Sequence, residues 1–358
     1  MANTHLTKTI TGTVAMTIAA LAIAAPQAQA ITWNYAWDSF YDGTGSFIRN
    51  GQNYNGNGVA ANNPAHGVGI YSQYEHFGMA YAEDIESDRV VFAFNSNLAL
   101  GGWDSSQAKD GNIAWGDLFI NLDPTKSFAE VQGTDSLLAI RFDGTNDSGV
   151  DTKANNGLKL AGKNQYTGET GVYSGVTAKN STANNGGWSN YNDYNNYVQG
   201  KTIYENGKKL KDANGKDLKG QVELVDGMTV TQAQNYLGTH GSGVIGSYQE
   251  KIGDITMFNA SALAAMGLDF AGTAGLGSTL GTQTFGFSVS RSLFPENSMD
   301  WLAHVMAECA NDTIGMLGVL GSVEDYNEED VPEPAALAGF VAVGLAIAGS
   351  KRRKAANR

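Results

Sequence analysis

The chain of 358 residues contains one cysteine, Cys309. A disulfide framework or a thiolate metal cluster needs several, so both are excluded. Basic residues are also few: 23 Lys and Arg stand against 36 Asp and Glu, a net charge of −13. Broad nucleic-acid binding, which needs a basic face, is not expected. Histidine is scarce, and His66, His76, His240 and His304 have no zinc-helix spacing. There is no Gly-x-Ser-x-Gly elbow and no phosphate-cradling Gly-x-x-x-x-Gly-Lys. The 45 glycines follow no three-residue period, which excludes a collagen. Proline numbers only 6, yet two of these, Pro332 and Pro334, stand together near the end.

What is present is clearest at the two ends. Residues 1–30 carry no Asp or Glu. A weakly basic start with His5 and Lys8 leads into an apolar stretch from Val14 to Ala25. That stretch is short of the roughly 20 residues needed to cross a bilayer. It ends in Ala28-Gln29-Ala30, the small-residue pattern of signal-peptidase cleavage, which predicts a signal peptide over 1–30 and a mature start at Ile31. At the other end, an acidic linker over 324–334 closes with Val331-Pro332-Glu333-Pro334. An uncharged apolar run of 16 residues, Ala335 to Ser350, follows, and then Lys351-Arg352-Arg353-Lys354. As a helix the run spans about 24 Å, slightly short for a typical bilayer, and it reads as a membrane stop of moderate hold. The basic cluster sets its orientation, with the bulk of the chain outside.

Pro-Glu-Pro, a short apolar helix and an Arg/Lys-rich end, in that order at the chain terminus, resemble the PEP-CTERM sorting domain. The resemblance covers about the last 28 residues. It implies export in a Gram-negative bacterium that makes extracellular polysaccharide, transient inner-membrane anchoring over 335–358, and processing by an exosortase. A second segment, His304-Val305-Met306-Ala307-Glu308-Cys309-Ala310-Asn311-Asp312, resembles the His-x-x-x-Glu-Cys-x-Asn-Asp stretch that precedes the tail in many such proteins. The family implies a destination rather than a reaction.

Residues 31–323 read as a β-rich extracellular domain. Residues 31–330 hold 17 of the 23 basic and 35 of the 36 acidic groups, a net charge of −18, which favours solubility and attraction to cations. Strands are expected at Arg89–Phe94, Asp117–Leu122, Ser136–Phe142 and Gly281–Val289, punctuated by Asn, Asp and Gly turns. The expected fold is mainly β, an antiparallel jelly-roll-like sandwich with short helices. Helices are expected at Leu263–Leu268 and Asp300–Ala310, the latter because Leu302, Val305, Met306 and Cys309 recur at helical spacing. There, Glu308, Asn311 and Asp312 would face elsewhere or cap the helix end. The stretches Gly51–Asn63 and Asn180–Asn196, rich in Asn, Gly and Tyr, read as surface loops. A repeat, Asn206-Gly207-Lys208-Lys209-Leu210-Lys211-Asp212 and Asn214-Gly215-Lys216-Asp217-Leu218-Lys219, reads as a solvated β-ribbon or a contact for an acidic polysaccharide.

Several groups could carry chemistry. Asp143, Asp147 and Asp151 stand at four-residue spacing in a Gly-bearing loop, which suits Ca²⁺, although the same residues also make ordinary Asx turns. Asp38 and Asp42 form a similar but poorer case. Glu83, Asp84, Glu86 and Asp88 could supply a hydrolase's carboxylate pair, or simply a solvated turn. Trp33, Tyr35 and Trp37 share one strand face and could stack a sugar or fill a core. Cys309 reads as a buried thiol.

The reading that absorbs most of this is an exported, exosortase-processed surface or matrix protein without catalytic activity, associated with exopolysaccharide. The alternatives are a calcium-dependent carbohydrate-binding module and, behind it, a secreted glycoside hydrolase. Its expected partners are signal peptidase and exosortase, with the inner membrane transient and the outer envelope or matrix as destination.

Overall fold

A computed structural model describes residues 31–38, 42, 47–49, 52–54, 72–105, 108–150, 169–205, 208–220, 228–272, 280–295 and 299–321. The expected signal peptide over 1–30 and the expected linker and sorting tail over 324–358 lie outside these residues. Among the described residues no helix is long and apolar enough to cross a membrane.

The chain is mainly β, with antiparallel sheets and a few short helices. Eleven strands make the two larger sheets: β1 (Asn34–Trp37), β2 (His76–Asp84), β3 (Arg89–Ser96), β4 (Leu118–Asn121), β5 (Leu137–Arg141), β6 (Gly171–Ser174), β7 (Glu250–Gly253), β8 (Thr256–Asn259), β9 (Gln283–Ser290), β10 (Met299–Met306) and β11 (Thr313–Leu320). One sheet has the order β1-β2-β3-β9-β8 and the other β7-β6-β5-β4-β10-β11. Every pairing in both is antiparallel. The chain passes from the edge of one sheet to the edge of the other through Asp254-Ile255, between β7 and β8.

Alternation along each strand explains the packing, because successive side chains point to opposite faces. Phe92 and Phe94 of β3 pair with Phe287 and Phe285 of β9. They enter one apolar cluster with Ile120, Leu138, Ile140, Trp301, Ala303 and Val305 of the other sheet. The intervening residues of the six-stranded sheet, Phe119, Leu137, Ala139, Tyr173 and Leu302, join a second cluster. Helices α1 (Phe128–Val131), α3 (Tyr191–Val198) and α4 (Val230–Leu237) contribute to it. A third cluster sets Val91 and Ala93 against Leu263 of α5 (Ala260–Ala265) and the following Met266, Leu268 and Phe270.

The four expected strands are present with ends shifted by a few residues, and the expected Leu263–Leu268 helix lies a few residues earlier, as α5. The helix expected over Asp300–Ala310 is instead strand β10, paired along its length with β11. Both faces of that strand are buried, Trp301, Ala303 and Val305 on one side and Leu302 on the other. A strand covered on both faces shows no polar alternation, so its apolar positions also fit a helical spacing.

The expected loop Asn180–Asn196 is also corrected, since it holds α2 (Thr182–Asn185) and most of α3. The Asn190 side chain caps α3 by accepting from the Asp193 N–H, while Tyr191, Tyr194 and Val198 bury one helix face. Of Gly51–Asn63, Gln52–Tyr54 is a strand paired with Phe47–Arg49, and the rest lies outside the described residues. The lysine repeat forms a ribbon in which Tyr204–Glu205 pairs with Lys208–Lys209 and Lys211 bridges to Asp217. Lys209 and Lys211 both reach Asp217, at 3.0 and 2.7 Å.

Candidate metal centre

Three carboxylates from distant parts of the chain meet where β1 ends and β10 turns into β11. One oxygen from each of Asp38, Asp42 and Asp312 lies within 4.8 Å of the others, and all three residues are buried. Asp38 directly follows β1, and its N–H donates to the carbonyl of Phe77 in β2. The Tyr194 hydroxyl of α3 donates to the Asp42 carbonyl. Asp312 sits in the β10–β11 turn with a left-handed backbone, φ 67°, a conformation Asp tolerates better than most residues. Its Oδ2 accepts the His76 N–H. Its Oδ1 is buried without a hydrogen-bond partner. Glu75, also buried, adds a fourth negative group nearby.

Burial dominates the electrostatics. It raises the Asp38 carboxyl well above the usual range, and the charges of Asp312 and Asp42 raise it further. Burial likewise pushes Asp312 up to about 7, against downward pulls from its hydrogen bonds. Tyr194 is raised by burial and then by the four acidic neighbours Asp42, Asp312, Glu75 and Asp38. An all-oxygen donor set of this kind suits a hard cation such as Ca²⁺ rather than zinc or copper.

The expected calcium loop is arranged differently. Asp143 accepts from the Gly101 N–H and from the N–H and hydroxyl of Thr145. Asp147 faces Asn185, and its own N–H donates to Glu308 at 2.7 Å. Asp151 lies outside the described residues. Asp143 and Asp147 thus serve separate local networks.

Glu308 and Asp312, expected at a helix end, occupy the buried turn after β10. Glu308 accepts the N–H groups of Ala114 and Asp147, both at 2.7 Å, while burial and the Asp147 charge raise its pKa well above normal. Cys309 is buried, and its thiol is pushed up to about 12 by that burial. The Glu83–Asp88 carboxylates shape the β2–β3 hairpin: Asp84 binds Arg89 at 2.7 Å, and Glu83 binds Arg291 at 3.1 Å. Trp33, Tyr35 and Trp37 pack on the outer cluster of the five-stranded sheet, with Tyr35 and Trp37 stacked at 5.8 Å and Phe270 edge-on to both. Their arrangement is that of a packed surface layer.

His304 lies in strand β10. It is fully buried between Phe119, Phe128 and Tyr236. Burial pushes its pKa down to about 3, against a smaller upward pull from a backbone hydrogen bond at Ser242. A lowered folded pKa means that this group's stability is whole above its unfolded value of about 6.5 and is lost as pH falls toward 3. His304→Phe should therefore lose about 3 kcal/mol less than the wild type between pH 7 and pH 4, by denaturant unfolding at each pH. Equal losses in the two proteins would show that His304 is not held neutral.

Sequence reasoning paired Asp38 with Asp42 but had no signal for Asp312 or Glu75, which only the strand pairing delivers to the same place. Asn311 and Asp312 stood out only as part of the segment that resembles the stretch before the sorting tail and as caps of an expected helix end. Compared with protein-family models, with curated proteins and with solved structures, the chain matches none.

Proposed function

We propose that the chain is an exported, non-catalytic surface or matrix protein, trimmed by signal peptidase after Ala30 and by an exosortase at Val331-Pro332-Glu333-Pro334. The observation that carries this reading is the ordered tail: Pro-Glu-Pro, 16 uncharged apolar residues, then Lys351 to Lys354. The placement of the strands supports it, because the two large sheets draw on nothing before Asn34 or after Leu320. Loss of both terminal segments would remove no described strand. We read the two sheets and their shared apolar cluster as a β-sandwich, a stable body for life outside the cell. The buried acids Glu308 and Asp117 hold backbone N–H groups of neighbouring segments, which is a structural use of carboxylates. Exopolysaccharide is the proposed surrounding.

The test is the mature termini, determined by mass spectrometry on protein recovered separately from the envelope and the medium. A start at Ile31 and an end near Val331–Pro334, outside the inner membrane, is the expected result. The triple substitution Pro332→Ala, Glu333→Ala, Pro334→Ala should leave the tail attached and hold all of the protein in the inner membrane. Normal trimming of that variant, or an intact Arg358 in the wild type, would overturn the reading.

A further inference from the structure

We propose that Asp38, Asp42 and Asp312 bind one divalent cation of the calcium class, which fastens the segment that follows β1 to the β10–β11 turn. The proposal does not rest on the sorting reading, and its test has separate readouts.

Two observations carry it. The first is the convergence itself: three carboxylates from separate segments, each with an oxygen within 4.8 Å of the other two and all buried. Like charges at that distance repel strongly away from water, and a divalent cation held among them removes that repulsion. The charges that bear most on Asp38 are Asp312, Asp42 and Glu75, and every one is acidic. The second is the state of Asp312. Its Oδ2 is held by the His76 N–H, which fixes the carboxylate plane. Its Oδ1, in a residue with no exposed surface, has no donor, although the carboxylate stands within hydrogen-bonding reach of Asp38. A buried oxygen left without a donor costs its desolvation, and a cation among the three acids supplies what is missing.

The chemistry of the donors selects the ion. Carboxylate oxygens without sulfur or imidazole favour Ca²⁺ over zinc or copper. The His76 ring is turned away, with Nδ1 against the Ser96 hydroxyl and the ring stacked on Trp115. Backbone carbonyls and water complete such a shell, since Ca²⁺ takes six to eight oxygens. The consequence is mechanical. Asp38 and Asp42 follow the first strand of one sheet, and Asp312 opens the last strand of the other. An ion here joins the two sheets near the ends of the folded body.

The experiment uses the purified full chain, stripped with a chelator and returned to chelator-free buffer at pH 7.5. Native mass spectrometry counts bound Ca²⁺, and melting temperature is recorded with and without 2 mM CaCl₂, about the concentration at which weak extracellular calcium modules fill. One Ca²⁺ per chain and a rise of several degrees are expected in the wild type. Asp312→Asn and Asp42→Asn should each lose the bound ion and the rise. Both should melt, without metal, at least as high as the metal-free wild type, because each removes a like charge. Asp147→Asn, in the loop that faces Asn185, should keep the full response. Absence of bound Ca²⁺ in the wild type overturns the proposal. So does a response that survives both Asn variants, or one lost in Asp147→Asn instead. A rise in metal-free melting from pH 7.5 to pH 5 with no effect of Ca²⁺ also overturns it, since a shared proton would then do the ion's work. If one Asn variant fails to fold, the other, on a different segment, and the wild-type stoichiometry still decide.

Discussion

Arg291→Ala should lower the free energy of unfolding by about 3–5 kcal/mol, the usual cost of removing one partner from a buried ion pair. The side chain follows β9 and is almost wholly buried. Its Nε donates to Glu83 at 3.1 Å, its Nη1 to the Pro295 carbonyl at 2.9 Å, and its Nη2 to the Gly321 carbonyl at 2.7 Å. Glu83 closes the ring by accepting the Gly321 N–H at 3.0 Å. One guanidinium thereby ties the hairpin strand β2, the end of β9 and the exit from β11. Its loss strands a carboxylate and two carbonyls. Urea unfolding of the purified variant gives the value directly. The double variant Arg291→Met, Glu83→Leu should recover part of the loss, because it leaves no lone charge. It should not recover all, since the Gly321 N–H then loses its acceptor. A loss below about 1 kcal/mol for Arg291→Ala would place the pair in the class of weak surface bridges instead.

Trp115→Ala should cost a similar amount, about 3–5 kcal/mol, through the cavity it leaves. The indole is fully buried and sits where the two sheets meet. Its ring lies 5.5 Å from Phe94, 5.4 Å from Phe285 and 5.8 Å from Phe142, and it stacks on His76 at 4.2 Å. Its N–H donates to the Leu98 carbonyl at 3.1 Å. Trp115→Phe keeps a ring but abandons that carbonyl, and a smaller loss is expected. Denaturant midpoints of the two variants should therefore rank alanine well below phenylalanine. Equal losses would mean that the hydrogen bond, not the ring, is what matters at this position.

The contrast between β3 and β10 shows how far local sequence reaches. Arg89–Phe94 reads as a strand because it is a short β-rich run between Asp88 and a polar Asn-Ser-Asn turn. Met299–Met306 is no less a strand, but burial on both faces erases the alternation that would announce it. The same limit governs α3. Six of its eight residues are Asn or Tyr, weak helix formers that suggest a loop, and it forms because Tyr191, Tyr194 and Val198 find a buried face. At the candidate metal centre, Asp38-x-x-x-Asp42 was visible as a pair of carboxylates. Asp312 could join it only once β10 and β11 had brought their turn beside β1 and β2.

Composition, charge and the two terminal patterns can be read residue by residue, because they are local and additive: an apolar start ending in Ala-x-Ala, a Pro-Glu-Pro tail, an acidic middle and turn residues between short strands. Which apolar runs became strands and which acids came together depended on packing. Strand partners and buried clusters depend on residues far apart in the chain, and no window of neighbouring residues contains that information.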